Sequence, residues 1–522
     1  MSPPSTRCNE DMPNEPNEVV IGSAPLTRDG VVAVARGGAP VAVDAVARKN
    51  VATARAHVDA LADATTPSYG VSTGFGALAV RSIPPERRAD LQRSLIRSHA
   101  AGAGPAVETE VVRALMLLRL RTLTTGHTGV RTSTVDALAA LLNAGITPVV
   151  PEYGSLGCSG DLAPLSAVAL ALMGEGEVVG PDGATRPATD ALRDAGITPV
   201  TLAEKEGLAL TNGTDGMLGM LALAIRDLAA LLDVADLTAA MSVEAQLGTD
   251  RVFAEDLQAL RPHPGQAVSA RRMREALAGS EIVASHRGPD CTRVQDAYSL
   301  RCAPQVHGAA RDTLAHAEAV ADRELVSAVD NPVVLADGRV ESNGNFHGSP
   351  LGYVLDFLAI PVADVASIAE RRTDRMLDVA RSHGLPAFLA EDPGVDSGHM
   401  IAQYTQAGIV SELKRLATPS SVDSIPSSAM QEDHVSMGWS AARKLRRGVD
   451  GLRTVLAVEL LTAARALDLR APLRPAPVTG AVRDLLRTRV GGPGPDRHLA
   501  PEIAAAEELI ASGAVQSCVE EA

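Results

Sequence analysis

The stretch "TDGMLGMLALAIRDLAALLDVADLTAAMSVEA", residues 214–245, carries one of the longest helical patterns of the sequence. Apolar residues recur in it at spacings of three and four, which is the period of one face of a helix. At this length the segment predicts a helix well beyond the usual three or four turns. A second periodic segment, residues 351–378, predicts another long helix, and long helices of this kind pack together in bundles.

The composition of the 522-residue chain favours the same fold. Hydrophobic residues make up 46% of the chain but aromatic residues only 2%, so the apolar side chains are nearly all Ala, Leu and Val. Such a composition suits close-packed helices better than strands, which are rich in Tyr, Phe and Trp. We therefore predict an all-α protein with a disordered tail at residues 1–18, an N-terminal domain at residues 19–215 and a long-helix bundle at residues 216–522.

Charge and hydropathy exclude several classes of protein. A formal net charge of −15 argues against a surface for nucleic acid or anionic membranes, since both require basic residues. The longest uninterrupted apolar runs fall short of the ~20 residues of a membrane span, and the N-terminus has no signal-peptide pattern. The 5 cysteines are irregularly spaced and form no C-x-x-C. We expect a cytoplasmic protein whose partner is a small molecule.

The loop "YGSLGCSGDLAPLS", residues 153–166, contains a serine, Ser159, that needs an explanation. Ser159 could cap the helix that follows, because a serine oxygen accepts hydrogen bonds from free N–H groups at a helix start. A hydrolase nucleophile would need G-x-S-x-G, but the residue two positions after Ser159 is Asp161. The glycines of the loop match neither phosphate-binding pattern. Neither a hydrolase nor a nucleotide site is indicated.

Seven blocks in the polar and glycine-rich loops share a further pattern. They are "YGVSTGFG" (69–76), "SHAAG" (98–102), "GCSGDLAPLS" (157–166), "KEGLALTNGT" (205–214), "QDAYSLRCAPQ" (295–305), "NFHG" (345–348) and "QEDHVSM" (431–437). In this order they resemble the signature blocks of the aromatic amino acid ammonia-lyases, and the histidine-specific branch is the nearest. The resemblance covers roughly residues 19–510, and the joint match is far more specific than any single block.

The resemblance implies a purpose for Ser159. In that family three consecutive residues, usually Ala-Ser-Gly, cyclise, and here Cys158, Ser159 and Gly160 stand in their place. The Gly160 nitrogen would attack the Cys158 carbonyl, and loss of water, including the Ser159 hydroxyl, would leave an electrophilic methylidene-imidazolone (MIO) group. Glycine suits this ring because no Cβ blocks the attack and the strained backbone is tolerated. The Cys158 side chain only hangs from the ring, so we expect it to have little mechanistic weight.

The resemblance also implies roles outside this loop. Tyr69 matches the base that takes the substrate's β-proton, although without the resemblance it would be read as a core tyrosine. Arg301 matches the arginine that binds the substrate carboxylate, a task suited to the two parallel bonds of a guanidinium. Further positions match residues beside the electrophile and the substrate amine, Asn212 and Tyr298, and residues lining the pocket, Gln295 and Phe346.

Two positions bear on the substrate. His99 matches the residue that meets the far end of the substrate side chain, and histidine there occurs in both histidine and tyrosine lyases. Glu432 matches an acid of the histidine lyases, and a carboxylate can accept a hydrogen bond from an imidazole N–H. The implied reaction is therefore conversion of L-histidine to urocanate. Glu432 and its neighbours Asp433 and His434 lack the spacing of H-E-x-x-H, so we expect no metal.

Several positions depart from the histidine-lyase pattern. They are Ser72, Ala167, Asp215, Ser349, Leu413 and Met430. These departures leave the implied reaction class intact but keep the substrate open: a lyase for tyrosine or another amino acid, or an aminomutase that returns ammonia to the β-carbon, uses the same residues. A catalytically inactive scaffold is a further alternative. Members of the family are homotetramers with active sites shared by three subunits, so the site residues need not meet within one chain.

Overall fold

The computed structural model describes residues 17–64, 70–74, 81–158, 160–288, 291 and 294–522. The structure is 59% helical, and the strands in the described part of the chain are short, with four residues at most. The all-α prediction is confirmed. Of the predicted tail, residues 1–16 lie outside the described residues.

Helices make up most of the described part of the chain. They are α1 (Arg28–Ala35), α2 (Ala45–Ala62), α3 (Arg88–His99), α4 (Thr109–Leu123), α5 (Thr132–Asn143), α6 (Leu162–Leu172), α7 (Ala188–Asp194), α8 (Glu206–Thr211), α9 (Asp215–Ala245), α10 (Glu255–Ala259), α11 (Pro264–Ala276), α12 (Glu281–Ala284), α13 (Tyr298–Arg301), α14 (Ala303–Leu325), α15 (Ser349–Leu377), α16 (Met400–Leu416), α17 (Gly438–Asp468), α18 (Pro477–Arg487), α19 (Ala500–Ala511) and α20 (Ala514–Glu521). The two long helices expected from periodicity are α9 and α15.

The strands pair in small sheets of two or three strands each. They are β1 (Val19–Ile21), β2 (Val41–Val43), β3 (Ala103–Ala106), β4 (Thr147–Pro148), β5 (Pro151–Tyr153), β6 (Glu177–Val179), β7 (Thr185–Pro187), β8 (Val333–Val334) and β9 (Val340–Glu341). β1 pairs with β2 in parallel, whereas β3–β5, β4–β6–β7 and β8–β9 are antiparallel. The β3–β5 pair fixes the chain immediately before the glycine-rich loop that contains Ser159.

The chain divides into two compact units. The first consists of Met1–Leu223, Asp322–Gly348 and Ser424–Trp439, and the second consists of the remaining segments. The division predicted from the sequence has a single boundary after residue 215. In the structure, the first unit also includes two later segments, Asp322–Gly348 and Ser424–Trp439. These segments carry the "NFHG" and "QEDHVSM" blocks, and their long-range contacts cannot be read from the order of the elements.

Helix α4 is deeply buried in the first unit. Twelve of its residues are buried, and Leu115, Met116 and Leu117 have no exposed surface. A helix that is buried on nearly every side belongs to the interior of a folded unit. It also carries a buried charge, Arg119, which reaches the candidate site described below.

One helix in the described part of the chain, α15, is long and apolar enough to cross a membrane by length and composition. Core helices of soluble proteins pass the same test, and 61% of the most apolar window of α15 is buried within the folded chain. Burial of this kind is typical of a core helix.

Candidate active site

The glycine-rich loop lies against the "KEGLALTNGT" block. Gly160 forms a parallel bridge with Gly213, and the Asp161 N–H donates to the Gly213 carbonyl at 2.7 Å. Two blocks that are far apart in sequence are thus joined at the residue that the resemblance implies closes the ring. Ser159 itself lies outside the described residues, as does Tyr69.

Only glycine fits the backbone conformation and the space at position 160. The φ of Gly160 is +76°, and a Cβ built there would overlap the carbonyl and amide of Gly213. The close approach of the two backbones therefore depends on the missing side chain. A position with this conformation fits the glycine of a self-cyclising triplet, because the residue has neither a Cβ nor a conformational barrier to oppose ring closure.

We expect Gly160→Ala to destabilise the protein more than Gly183→Ala does. Both glycines have a φ of +76°, but a Cβ at Gly183 would meet no atom within 4 Å. The left-handed backbone alone costs about 1–2 kcal/mol for an alanine, and this cost is common to both variants. Gly160→Ala has the further cost of a steric overlap between the new Cβ and Gly213, which Gly183→Ala does not have. Thermal unfolding of the two variants measures the difference, and equal midpoints would show that the loop adjusts freely.

Asp161 anchors the loop to the start of helix α9. Its buried carboxylate accepts hydrogen bonds from the Ser155 hydroxyl at 2.8 Å and from the N–H groups of Gly216 and Met217 at 2.9 and 3.0 Å. These donors favour the charged form, as does the positive end of a helix dipole. Burial opposes them and raises the pKa of Asp161 to about 7. Sequence reasoning missed this role, although an Asp directly after the triplet and before a helix was a usable signal.

The segment Ser424–Trp439 holds the loop from another side. The Gly157 carbonyl accepts from the Ser436 hydroxyl at 2.6 Å and from the Gly348 N–H at 2.9 Å. The Met437 N–H donates to the Leu156 carbonyl at 2.9 Å. These contacts bring the "NFHG" and "QEDHVSM" blocks to the glycine-rich loop. Ser436 is a second supporting residue that sequence reasoning missed.

Glu432 lies next to the first residue of the triplet. One carboxylate oxygen of Glu432, Oε2, is 3.7 Å from the Cys158 sulfur and 3.1 Å from the Ser427 hydroxyl. Cys158 is 5% exposed, and Glu432 is partly buried. Burial, assisted by the nearby Glu432 carboxylate, raises the pKa of the Cys158 thiol to about 12. Glu432, which is predicted to recognise the substrate side chain, thus contacts the loop that is predicted to form the electrophile.

Asn212 connects a further segment to this region. It ends helix α8, and its buried side-chain amide donates to the carbonyls of Leu208 and Asn331, both at 3.3 Å. Two buried ion pairs involve residues close to Asn212 or Asn331 in the sequence: Arg119 with Asp215, and Lys205 with Asp330. Asp215 departs from the histidine-lyase pattern, and its buried carboxylate is balanced by the buried guanidinium.

His99 and Phe346 complete the predicted set in the first unit. His99 ends helix α3, where its Nδ1 is 2.9 Å from the Leu95 carbonyl and 3.0 Å from the Ser98 hydroxyl. Phe346 is partly buried. The next residue, His347, stacks on His434 of the "QEDHVSM" block with ring centroids 5.3 Å apart. The described contacts of His99 are thus local, whereas the chain beside Phe346 meets the segment that carries Glu432.

Three predicted residues belong to the second unit. Gln295 is exposed, and Tyr298 is 73% exposed at the start of helix α13. The Arg301 guanidinium carbon lies 4.8 Å from the centre of the Tyr298 ring, which is a cation–π contact. Among the described residues, the buried Nε of Arg301 has no hydrogen-bond partner. The exposed Tyr298 ring therefore lies directly beside the guanidinium predicted to bind the substrate carboxylate.

The other departures have ordinary structural positions. Ser72 is buried, Ala167 lies within α6, Ser349 begins α15, Leu413 is buried in α16, and Met430 is exposed in a short 3₁₀ turn. Within the residues that the structure describes, no group of three or more His, Cys, Asp or Glu side chains is placed to hold a metal ion.

The helical fold and the joined signature loops define an aromatic amino acid lyase. A family model described as aromatic amino acid lyase matches residues 26–488, and the chain belongs to this family. Members of the family use a self-formed MIO group. The resemblance found in the seven blocks is thereby confirmed.

Particular members are similar over almost their whole length. The histidine ammonia-lyase of Streptomyces avermitilis is 65% identical, with 96% of this chain and 98% of that protein covered. The histidine ammonia-lyase of Streptomyces griseus is also 65% identical, with the same coverage. Among solved structures, histidine ammonia-lyase from Trypanosoma cruzi has a TM-score of 0.89 at 38% identity, covering 97% of this chain and 95% of that one. Tyrosine aminomutase from Streptomyces globisporus has a TM-score of 0.91 at 37% identity, covering 97% and 98%.

Proposed function

We propose that the protein eliminates ammonia from L-histidine to give urocanate, with an MIO group formed from Cys158, Ser159 and Gly160. The observation that carries this proposal is the contact between Glu432 and Cys158, 3.7 Å apart, because it puts an acceptor for an imidazole N–H beside the electrophile loop. The histidine ammonia-lyases that are 65% identical to this chain support the same substrate.

The residues present fit the MIO group. Gly160 has a left-handed backbone that glycine tolerates and no Cβ to oppose ring closure, and Asp161 fixes the adjoining peptide through three hydrogen bonds. When formed, the group supplies an electrophile that takes the substrate nitrogen and so gives a poor leaving group a route out. A loop held from several sides is a suitable support, since catalytic groups need fixed positions.

The chain's own side chains have distinct proposed tasks. Tyr69 takes the β-proton from the substrate, and Arg301 binds the substrate carboxylate through its guanidinium fork. Asn212 and Tyr298 orient the amine and the electrophile, while His99, Gln295 and Phe346 line the pocket.

We also propose that the protein is a cytoplasmic homotetramer with shared active sites. Helix α15 exposes Tyr353, Phe357 and Ile360, which are 60%, 45% and 51% accessible and follow the spacing of one helix face. Helix α16, which packs on α15, exposes Ile401 and Tyr404. Large apolar side chains grouped in this way favour a protein interface. Analytical ultracentrifugation measures the size of the assembly.

A direct assay tests the reaction. The purified enzyme is incubated separately with histidine, tyrosine and phenylalanine, and the products are identified by ultraviolet absorbance and mass. We expect urocanate from histidine as the main product. A β-amino acid would instead indicate an aminomutase, the alternative that the similarity to tyrosine aminomutase supports. Failure to act on histidine, with turnover of another amino acid, would contradict the proposed substrate.

We expect Glu432→Gln to lower the kcat/KM for histidine by roughly tenfold. The change replaces a charge-assisted hydrogen bond to the imidazole with a neutral one at nearly constant volume, and charge-assisted bonds are about twice as strong. A loss of about 1.4 kcal/mol corresponds to tenfold in rate. Turnover of phenylalanine should fall less or increase, because a carboxylate facing an apolar ring is unfavourable. The ratio of the two kcat/KM values is measured in both proteins, and an unchanged ratio would show that Glu432 does not recognise the side chain.

A further inference from the structure

We infer that Cys158 is a positioning residue for Glu432: its thiol donates a hydrogen bond to the carboxylate that recognises the substrate side chain. This inference rests on the proposed function, since it assigns the specificity of that site partly to the first residue of the triplet. It also gives the Cys158 side chain, expected from sequence to have little mechanistic weight, a role that alanine cannot perform.

The geometry places two donors on one oxygen of Glu432. The Cys158 sulfur is 3.7 Å from Oε2, and the Ser427 hydroxyl is 3.1 Å from the same atom. Ser427 also pairs with Glu432 through the backbone: its N–H donates to the Glu432 carbonyl at 2.9 Å, and its carbonyl accepts the Glu432 N–H at 3.3 Å. The Ser427 contacts fix Glu432 within its own turn. The Cys158 contact ties the carboxylate to the loop that forms the electrophile.

The protonation state of the thiol suits a donor. A cysteine acts as a nucleophile or is readily oxidised only as the thiolate. Cys158 is buried, and both burial and the adjacent negative charge disfavour the thiolate, so that the pKa of about 12 keeps the S–H at neutral pH. An S–H group is a weak donor, but its partner here is an anion, which strengthens the bond.

The position of Cys158 gives this bond a specific consequence. In the cyclised triplet, the carbonyl carbon of Cys158 becomes a ring atom and its Cα is bonded directly to the ring, so a bond from the Cys158 sulfur limits the distance between the ring and the Glu432 carboxylate. The Ser436 and Met437 contacts hold the backbone of the same segment to Gly157 and Leu156. Those contacts act on the main chain, whereas the Ser427 hydroxyl and the Cys158 thiol act on the Glu432 carboxylate itself. The thiol adds a restraint on that carboxylate, and fixing one group lowers the entropy cost of binding.

The test is a double-mutant cycle on the full-length enzyme. Wild type, Cys158→Ala, Glu432→Gln and the double variant are compared by kcat/KM for histidine and for phenylalanine, and the mass of each intact chain reports whether the triplet has lost its two waters. We expect Cys158→Ala to retain the mass deficit, to lower the kcat/KM for histidine by about three- to tenfold and to leave that for phenylalanine within about twofold. In the Glu432→Gln background the same change should cost less than about twofold, because interacting residues are not additive.

Two further variants separate positioning from a general structural effect. Cys158→Ser keeps a donor and is expected to remain within about threefold of wild type with histidine. Cys518→Ala, on helix α20, removes a thiol elsewhere and should leave both substrates unaffected. Equal losses from Cys158→Ala with and without Glu432 would overturn the inference, as would loss of the mass deficit in Cys158→Ala. If the wild-type enzyme does not convert histidine, both the proposed function and the inference fail. If it converts histidine but the losses in kcat/KM from Cys158→Ala and Glu432→Gln are additive, only the inference fails.

Discussion

Replacing Ser159 with alanine is expected to abolish the electrophile and to lower histidine turnover by roughly a thousandfold or more, the scale expected when a group in a covalent mechanism is removed. The hydroxyl of Ser159 must leave for the alkene to form, and alanine has none. Turnover is measured from urocanate absorbance, and ring formation from the mass of the chain.

The matched control is Ser166→Ala on helix α6. Ser166 is fully buried, and among the described residues its hydroxyl has no hydrogen-bond partner, so the same chemical change there should be nearly neutral. We expect Ser166→Ala to keep both the mass deficit and the turnover. A Ser159→Ala enzyme with wild-type turnover would exclude the proposed electrophile.

Replacing Tyr69 with phenylalanine is expected to lower kcat for histidine by about 10²–10⁴-fold, which is the usual contribution of a general acid or base. The ring of the side chain is retained, but the phenol oxygen that accepts the β-proton is lost. The electrophile does not need that oxygen, so the mass deficit should persist. Exchange of the β-hydrogen with deuterated solvent is measured together with kcat, and both should fall.

Tyr153→Phe provides the control for this variant. Tyr153 is 63% exposed on strand β5, next to the glycine-rich loop, and loss of its hydroxyl should leave kcat unchanged. A Tyr69→Phe enzyme that still exchanges the β-hydrogen at the normal rate would show that another group is the base.

Much of the fold could be predicted because it follows from local sequence periodicity. The segments 214–245 and 351–378 correspond to α9 (Asp215–Ala245) and α15 (Ser349–Leu377) within two residues at each end. The short strands could not be predicted, because pairs such as β8 and β9 have two residues each and no alternation to detect. Their pairing depends on the loops that connect them rather than on their side chains.

The sequence blocks predict the candidate reactive residues, whose roles stay predictions, but they do not predict the residues that hold the loop in place. The blocks identified Gly160 and Glu432, whereas the approach of Gly160 to Gly213 is a backbone contact between segments distant in sequence. The three donors on Asp161 and the hydrogen bond from Ser436 to Gly157 arise in the same way. The contact of Cys158 with Glu432 spans 274 positions, and neither residue type alone indicates it.

We propose that Cys158, Ser159 and Gly160 cyclise without any added factor. Mass spectrometry of the purified protein tests it directly: after proteolysis, the peptide that contains the triplet is compared with the mass calculated from its sequence. We predict that the wild-type peptide is lighter than its calculated mass by two water molecules. The Ser159→Ala peptide should have the mass calculated from its own sequence. A full-mass triplet peptide in wild-type enzyme that actively converts histidine would show that the reaction does not need the cyclised triplet.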